Sequence, residues 1–427
     1  MSPQRYLEHT STSQLGTSTH LKAVHVVNQY PVHSEQFIYN ELIELSRRRV
    51  DIVLCSRNRV NSSRDFRPLE AAGIPVLSLK APSASGFSRL ARFACDAASL
   101  VLTRPRALIS LLSDARKEGN ASRADVLYAA RVIARLGRSV DVFHAQFGPV
   151  GVQLQRYRSL GLHRRPVFVS FRGYDLSRDE TRLSERYLNL FQQAACLLPV
   201  CEHFADRLRQ IGAPASRIRV HYTPLRVEDF EYHPRGGEPD AAGLSFLAVG
   251  RFVEKKGFAF TLRAFAGARV RVPDIRLLVV GSGPLEEALH RLSEHLGLGS
   301  AVSFRAPMGQ NELRELYRTN DVFLLHSITA SDGDQEGIPN VLKEAMACGM
   351  PVVSTRHGGI PELVHDECNG LLVEEGDVDA FTNAIVRLAN DGELRAGLGT
   401  AARSHVVEQF SIDRVTPQLL SCYREAQ

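Results

Sequence analysis

The sequence predicts an α/β protein with two doubly wound, Rossmann-like domains that face each other across a cleft. Three observations support this fold class: the length of the chain, short apolar runs that alternate with amphipathic helical patterns, and a segment without periodicity near the middle. With 427 residues, the chain is longer than a single hydrophobic core usually supports. Two domains of about 200 residues are therefore expected.

Short apolar runs, many of them β-branched, predict the strands of both domains. In the first half they lie at 23–27, 51–55, 74–79, 140–145, 166–171 and 195–200. In the second half they lie at 244–250, 275–281, 301–304, 321–327, 351–355 and 370–373. Such runs between amphipathic helices are typical of a parallel sheet that helices cover on both faces. Ligands bind beyond the carboxyl ends of such strands, so the functional site is expected in the cleft.

Residues 230–243, FEYHPRGGEPDAAG, separate the two sets of runs. The segment is rich in Gly, Pro and charge and has no periodicity, which is typical of an interdomain linker. The expected order is a disordered tail at 1–20, an N-terminal domain at 21–229, this linker, a C-terminal domain at 244–410 and a final helix at 411–427 that can pack back on the N-terminal domain.

Cysteine usage and the lack of targeting segments favour a cytoplasmic protein. The first 20 residues are polar, and the sequence has no uninterrupted apolar run of about 18 residues, so we expect neither secretion nor a membrane span. The seven cysteines lack the CxxC spacing of a zinc site, and reduced thiols are expected.

The charge is divided unevenly between the two halves. Residues 1–240 hold 34 Lys and Arg against 23 Asp and Glu, a net +11, whereas residues 241–427 hold 18 against 24, a net −6. A basic half indicates an anionic partner. The sequence has no zinc finger, RRM-type motif or Lys/Arg block, so we expect no nucleic acid partner and favour an anionic ligand or membrane surface.

Two cations flank the turn after the run at 244–250. Arg251 and Lys256, at a strand's carboxyl end and beside a helix N-terminus, have the arrangement of a diphosphate clamp, although the same residues also suit a solvated loop. The next strand ends in Gly281-Ser282-Gly283. Glu286 stands where GxGxxG needs its third glycine, so a tight turn with close backbone approach is expected there.

The segment 332–362, DGDQEGIPNVLKEAMACGMPVVSTRHGGIPE, carries two acids eight positions apart. A helix is predicted to begin near Pro339 and to end at Gly349, so that Glu336 precedes it and Glu344 lies within it. The N–H groups near Gly337 and Ile338 would face a diphosphate. Carboxylates beside a diphosphate would repel it unless they accept hydrogen bonds from flanking hydroxyls, and a nucleotide sugar has such hydroxyls on both sides.

These motifs, in this order, resemble the retaining glycosyltransferases of family 4, which have the GT-B fold. The run from Asp332 to Val364 is similar to the exopolysaccharide and colanic-acid type members, and YPVHSEQFIYNEL (30–42), VFHAQFG (142–148) and SFRGYDL (170–176) resemble N-terminal motifs of that branch. The resemblance implies a hexosyltransferase that uses a nucleoside-diphosphate sugar, with UDP or GDP most expected. It implies a glycan or lipid-linked acceptor in surface or exopolysaccharide biosynthesis, bound by the N-terminal domain, while the C-terminal domain binds the donor.

The resemblance also implies a role for each matching residue. Arg251 and Lys256 would hold the diphosphate, Glu336 the transferred sugar and Glu344 the ribose, and we name Glu336, Arg251 and Lys256 as catalytic. The remaining candidates are, for the donor, Gly281, Gly283, Gly337 and Ile338, and, for the acceptor, Ser34, His144, Arg172 and Asp175. Arg172 stands where the family usually has the histidine of His-Gly-x-Asp, and Tyr222 to Leu225 replace an Asn-Gly-Val-Asp-like turn.

Several alternatives remain open at this point. Asp332 and Asp334 spell the Asp-x-Asp of metal-dependent transferases, but the cations already supply positive charge, so we expect no metal and no cofactor. A two-domain dehydrogenase would need a complete GxGxxG. The chain could instead be a catalytically weak partner subunit that binds a sugar nucleotide, or a transferase with a soluble acceptor.

Arginines punctuate apolar positions throughout residues 86–139. This pattern suits helices that dock on an anionic inner membrane face, and equally helices that cover the N-terminal sheet with their arginines solvated. The basic residues are Arg89, Arg92, Arg104, Arg106, Arg116, Lys117, Arg131, Arg135 and Arg138.

Overall fold

A computed structural model of the chain describes residues 20–60, 67–81, 105–114, 122–176, 180–236 and 243–427. The expected tail at 1–20 therefore lies almost entirely outside the described residues. The first parallel sheet is formed by β1 (Lys22–Tyr30), β2 (Asp51–Arg59), β3 (Val76–Ser78), β4 (Val142–Ala145), β5 (Val167–Phe171) and β6 (Cys196–Pro199). Its order is β3-β2-β1-β4-β5-β6.

Helices follow the strands of this sheet and bury their apolar stripes against it. Ser122 accepts a hydrogen bond from the backbone N–H of Asp125 and so caps one of them, as short polar residues at helix starts commonly do. The helices are α1 (Gln36–Arg47), α2 (Pro68–Ala71), α3 (Pro105–Asp114), α4 (Arg123–Leu136), α5 (Gly148–Ser159), α6 (Glu180–Gln193) and α7 (Glu202–Gln210).

The second parallel sheet repeats the topology of the first. It contains β7 (Leu244–Val249), β8 (Ile275–Val280), β9 (Val302–Arg305), β10 (Val322–Leu324), β11 (Val352–Thr355) and β12 (Leu371–Val373), in the order β12-β11-β10-β7-β8-β9. Its helices are α8 (Phe258–Arg271), α9 (Glu286–His295), α10 (Gln310–Thr319), α11 (Asn340–Ala347), α12 (Ile360–Leu363), α13 (Val378–Asn390) and α14 (Gly392–Phe410).

Successive side chains of the second sheet enter different cores because strand side chains alternate between faces. Phe246 packs in one apolar cluster with Phe265 and Phe381, while the neighbouring Leu247 packs in another with Met346 and Phe410. Both faces of the sheet are thus covered. All twelve predicted runs contain a strand, and the prediction of two doubly wound domains is confirmed.

The chain crosses between the domains earlier than the sequence indicates. Leu225, Val227 and Phe230 already pack in the core of the C-terminal domain, and the N–H of Leu225 donates to the carbonyl of Phe410. The crossing therefore precedes the predicted linker at 230–243, of which 237–242 lie outside the described residues. Sequence reasoning overlooked it because this stretch has no Gly.

The final helix, α15 (Ile412–Glu425), leaves the C-terminal domain and packs against α1 of the other domain. Leu419, Leu420 and Tyr423 lie in the N-terminal core. The Tyr423 hydroxyl is 2.5 Å from Nδ1 of His144, which is fully buried on β4. The two domains are therefore connected by both a crossing segment and a returning helix.

Part of the basic segment 86–139 is described, and there the apolar stripes face the sheet. Leu111 of α3 and Leu127 and Ile133 of α4 are buried in the N-terminal core, whereas Ile109 is exposed. Arg89, Arg92, Arg104, Arg116 and Lys117 lie outside the described residues. No helix in the described part of the chain is long and apolar enough to span a membrane.

Candidate donor site between the two domains

The predicted donor residues meet at the carboxyl ends of β7 and β10, which are neighbours in the second sheet. This is the point where the strand order reverses, and doubly wound sheets bind ligands there. Three segments form the site: the turn at 250–257 after β7, the loop at 326–339 after β10, and the segment at 356–362 after β11.

The three basic side chains of the turn after β7 differ in their exposure and in their ion pairs. Arg251 is exposed and forms no ion pair with any described carboxylate. Lys256 Nζ lies 3.2 Å from Glu336 Oε1. Lys255, which sequence reasoning did not single out, is buried and lies 3.1 Å from Asp334 Oδ1 and 3.6 Å from Glu336 Oε1. Ion pairs thus connect the turn after β7 to the loop after β10.

Glu336 is a buried carboxylate held in its ionised form by these cations. Burial alone would raise the pKa of Glu336, but the ammonium groups of Lys256 and Lys255 outweigh it and hold the pKa below its usual value. A ligand phosphate that attracts Lys256 would release this carboxylate to accept hydrogen bonds from hydroxyl groups.

The segment after β11 holds the backbone around Glu336 in place. Its N–H donates to Nε2 of His357 at 3.0 Å, so the ring proton lies on Nδ1, which donates to Glu375 Oε1 at 2.6 Å. Gly358 has φ +54°, and a Cβ there would lie 2.1 Å from the carbonyl oxygen of Glu336. Only glycine permits this approach.

Helix α11 begins and ends as predicted. Pro339 is its N-cap, and Gly349, with φ +78°, follows its last turn. The backbone N–H groups of Gly337 and Ile338 donate to no other described residue, and with the first N–H groups of α11 they form a row of unpaired donors, an arrangement that suits an anion. Ile338 packs against the cores of both domains.

Glu344 lies in the second turn of α11 and is buried. The Tyr317 hydroxyl donates to its Oε2 at 2.8 Å. Burial raises the pKa of Glu344, although the Tyr317 hydrogen bond and the neighbouring Lys343 oppose the rise. Lys343 Nζ donates to the carbonyl of Thr223 in the crossing segment.

Gly281 and Gly283 form the predicted tight turn. A Cβ at Gly281 would lie 1.9 Å from the carbonyl oxygen of Gly250, and one at Gly283 would lie 2.7 Å from that of Phe252. The turn after β8 therefore lies directly against the turn that carries Arg251. Sequence reasoning predicted this close backbone approach, and the structure shows it.

The acceptor-side candidates differ in what they can reach. Ser34 is exposed, in the 3-10 helix His33–Glu35 after β1. Asp175 accepts hydrogen bonds from the backbone N–H groups of Gly148, Arg172 and Gly173, and so organises its own loop. His144 bonds to Ser170 and Tyr423. In this conformation the structure brings neither Asp175 nor His144 to the cleft.

The side chain of Arg172 is directed into the protein. Its guanidinium donates to Gln146 Oε1 at 2.6 Å and to Thr223 Oγ1 at 3.3 Å, and it lies 3.9 Å from Glu41 Oε2. Burial lowers its pKa, which the charge of Glu41 opposes. Arg172 therefore connects the N-terminal sheet to the crossing segment.

The Asp-x-Asp pair has structural partners. Asp334 pairs with Lys255, and Asp332 Oδ1 accepts the backbone N–H of Asp334 at 3.0 Å. These bonds shape the loop that precedes Glu336, which accounts for both acids without a ligand.

Glu362, in the Gly-Gly-Ile-Pro-Glu motif, joins the domains. Its carboxylate accepts the backbone N–H groups of Glu202 and His203, at 2.8 and 2.9 Å, at the start of α7. His203 Nε2 lies 2.9 Å from Gln335 Oε1 of the donor loop. Sequence reasoning did not find this contact, because it depends on the placement of two segments about 160 residues apart.

Two facing doubly wound domains, with cations, a helix N-terminus and two carboxylates at the cleft, define a glycosyltransferase of the GT-B type. The family described as glycosyl transferases group 1 matches residues 234–405, and the glycosyl transferase 4-like domain matches residues 35–224. The chain belongs to this glycosyltransferase family, as the sequence resemblance predicted, and is an enzyme of that class.

Relatives with similar sequences carry names from polysaccharide biosynthesis. The chain is 29% identical to the putative colanic acid biosynthesis glycosyltransferase WcaL of Salmonella typhimurium, over 92% of this chain and 97% of that protein. It is 35% identical to WcaL of Escherichia coli K12 over 66% and 70%, and 32% identical to the amylovoran biosynthesis glycosyltransferase AmsK of Erwinia amylovora over 64% and 67%.

Solved structures support the fold. HepE of Anabaena in complex with UDP-glucose superposes with a TM-score of 0.72 at 18% identity, over 95% of this chain and 100% of that chain. A sucrose-phosphate synthase of Thermosynechococcus elongatus superposes with a TM-score of 0.66 at 19% identity, over 95% and 98%.

Proposed function

We propose that the protein transfers a hexose, with retention of configuration, from a UDP- or GDP-sugar to a glycan or lipid-linked acceptor in surface or exopolysaccharide biosynthesis. The observation that carries the proposal is the ion pair of Lys256 with Glu336 at the N-terminal end of α11, with Glu344 eight residues further on. Cations and helix N–H groups suit a diphosphate, and the acids suit the hydroxyls on either side of it.

The mechanism assigns a role to each of the donor-site residues. Arg251, Lys256 and the N–H groups near Gly337 would hold the diphosphate and stabilise the charge that develops on it as the sugar leaves. Glu336 would orient the hexose and Glu344 the ribose. Retention rests on the family resemblance, in which the acceptor attacks from the face that the phosphate leaves and the phosphate takes the acceptor proton.

Similar proteins support both nucleotides as donors. A mannosyltransferase of Mycolicibacterium smegmatis named as GDP-mannose-dependent is 37% identical over 42% of this chain and 48% of that protein, while HepE is solved with UDP-glucose. Thermal shifts with UDP-, GDP-, ADP- and CDP-sugars test the donor, since a ligand at about 100 times its dissociation constant adds about 2.7 kcal/mol of stability. If none of these nucleotide sugars raised the melting temperature, the proposal would be contradicted.

The acceptor and catalytic competence are tested together. Names such as colanic acid and amylovoran biosynthesis favour a glycan acceptor for this chain. With the donor found above, release of nucleoside diphosphate and mass spectrometry of extracted glycolipids should show transfer. Binding without turnover would favour the alternative, a catalytically weak partner subunit, and transfer only to small sugars would favour a soluble acceptor.

We also propose that the reaction needs no metal or other cofactor, because Arg251 and Lys256 supply the positive charge that a diphosphate requires. Activity should then survive EDTA. Complete loss that Mn²⁺ restores would return Asp332 and Asp334 to consideration.

Membrane association at the inner face stays a proposal, carried by the excess of basic residues in the N-terminal half. Co-sedimentation with vesicles should rise with anionic lipid content and fall with salt. Replacing Arg89, Arg92, Arg104 and Arg106 by Gln should weaken it, and equal partitioning onto neutral vesicles would contradict it.

A further inference from the structure

A carboxylate and an aromatic ring lie at the carboxyl ends of the N-terminal strands, on the acceptor side of the cleft. Glu35 ends the 3-10 helix that follows β1, and Tyr174 lies in the loop that follows β5. Strands β1 and β5 both pair with β4, so their carboxyl ends lie at one edge of the sheet.

Glu35 has an unused hydrogen-bonding group. Its Oε2 is buried and has no hydrogen-bond partner among the described residues. A buried carboxylate oxygen without a donor costs free energy, and such groups often serve a ligand. Burial raises the pKa of Glu35 to about 7, although the nearby guanidinium of Arg172 opposes the rise. The raised pKa of Glu35 is thus consistent with a carboxylate oxygen that has no hydrogen-bond donor.

Tyr174 presents a supported aromatic face. Its side chain is 51% exposed, and its ring lies 5.5 Å from that of the buried Phe147 at an angle of 35°. Burial of the hydroxyl raises the pKa of Tyr174 to about 12, and the charges of Asp175 and Glu35 add to this rise. The Arg172 guanidinium lies 5.0 Å from the centroid of the Phe37 ring, so the segment after β1 and the loop after β5, which carry Glu35 and Tyr174, are neighbours.

Arg172, which stands where the family usually has a histidine, is directed into the protein. The guanidinium of Arg172 is occupied by Gln146 and Thr223 and lies over the ring of Phe37, 5.0 Å from its centroid. These contacts engage Arg172 within the protein and connect the N-terminal sheet to the crossing segment.

We propose that Glu35 and Tyr174 form the acceptor subsite, where Glu35 accepts hydrogen bonds from hydroxyls of a pyranose ring and Tyr174 stacks on the apolar face of that ring. A ring of this kind offers both an apolar face and vicinal hydroxyls, which is the combination the pair can bind. The inference rests on the proposed function, because it names the side of the cleft and the residues that receive the sugar acceptor.

Direct binding of simple glycosides tests the subsite. Octyl α-mannoside, β-galactoside and β-glucoside are titrated into the full chain, with UDP or GDP present, and binding is followed by saturation-transfer NMR and calorimetry. Glu35→Gln keeps the shape of the side chain and should weaken binding about tenfold, as expected for loss of a hydrogen bond to a charged group. Tyr174→Ala should weaken it similarly, whereas Tyr174→Phe, which keeps the ring, should bind like the original protein. The matched control is Glu185→Gln, an exposed acid on α6.

The outcomes separate this inference from the proposed function. Nucleotide affinity should stay within about twofold in every variant, because none of these residues touches the donor site. No glycoside binding by the unchanged protein, or equal binding by Glu35→Gln, would overturn the subsite. Glycoside binding that depends on Glu35, with no turnover of any nucleotide sugar, would support the subsite and contradict the transferase.

Discussion

At the scale of single residues, spacing indicated which side chains lie together at the cleft but not the contacts among them. Glu336 and Glu344 were found because a Gly-Ile-Pro turn between them implied a helix start. The role of Lys255 could not be found, because EKKG contains two adjacent lysines and only the turn geometry decides which one faces Asp334. The inward direction of Arg172 depends on Glu41 and Gln146, which are distant in sequence.

The first prediction concerns the diphosphate clamp. Arg251→Ala and Lys256→Ala should each weaken binding of the free nucleoside diphosphate by about 1.5–3 kcal/mol, since each removes a charge-assisted hydrogen bond. Arg263→Ala, at an exposed position of α8, is the control and should bind normally. Calorimetry measures all three. Unchanged affinity in both clamp variants would place the diphosphate elsewhere.

The second prediction divides the labour of the two acids. Glu344→Gln should weaken nucleotide and nucleotide sugar alike. Glu336→Gln should leave free nucleotide binding unchanged or slightly tighter, because Lys256 loses its competing carboxylate, yet it should lower the turnover of the sugar donor. Equal losses of nucleotide affinity in the two variants would contradict this division.

At the scale of elements, apolar runs predicted all twelve strands of the described residues, because parallel strands buried on both faces form continuous apolar runs. The crossing at 225–230 was missed because this stretch has no Gly, and its Leu225, Val227 and Phe230 pack in the core of the C-terminal domain. The glycines beside the donor loop were visible in the sequence. The close backbone approach at Gly281 and Gly283 was predicted, but the reason for a glycine at 358 was not, because it lies in the approach of its backbone to that of Glu336 in another loop.

The third prediction follows from Gly358. Gly358→Ala forces a left-handed conformation on a residue with a Cβ and drives that atom against the carbonyl oxygen of Glu336, so stability should fall by more than about 1 kcal/mol and donor affinity should fall with it. The control is Gly397→Ala within α14, where a Cβ meets nothing within 4 Å. There the free energy of unfolding in urea should rise by about 0.5–1 kcal/mol. Similar effects of both would contradict the prediction.

At the scale of the whole molecule, Tyr423 of the returning helix α15 lies within a cluster of buried polar side chains on the N-terminal sheet. His25 Nδ1 lies 2.8 Å from Gln146 Nε2, and its Nε2 lies 3.3 Å from the Tyr423 hydroxyl. Burial lowers the pKa of His25 to about 3, with Glu41 opposing and Arg172 adding to the shift. The returning helix thus joins the domains at a buried polar cluster in which His25 is held neutral.

The fourth prediction is a pH dependence. Below pH 6.5 an unfolded chain protonates His25 while the folded chain does not, so this site costs about 1.4 kcal/mol of stability per pH unit as the pH falls from 6.5 towards 3. His25→Gln should therefore flatten the fall in urea stability between pH 6.5 and 5. His295→Gln, at an exposed position of α9, should not. An unchanged slope in His25→Gln would contradict the assignment.

The fifth prediction concerns the carboxylate that joins the domains. Cys201 at the N-cap of α7 makes no side-chain cap, and Glu362 of the other domain accepts two N–H groups there instead. A lost cap costs about 0.5–2 kcal/mol, and here the cost falls on the contact between the two domains. Glu362→Ala should therefore speed hydrogen exchange at residues 335–338 and lower turnover, while the urea stability of the chain changes little. Glu367→Ala, which removes only an exposed pair with Arg387, is the control. Gln335 also contacts His203. If hydrogen exchange at residues 335–338 kept its original rate in Glu362→Ala, the prediction would be wrong. Gln335 and the packing at Gly337 would then hold the domains together, and Glu362 would only cap α7.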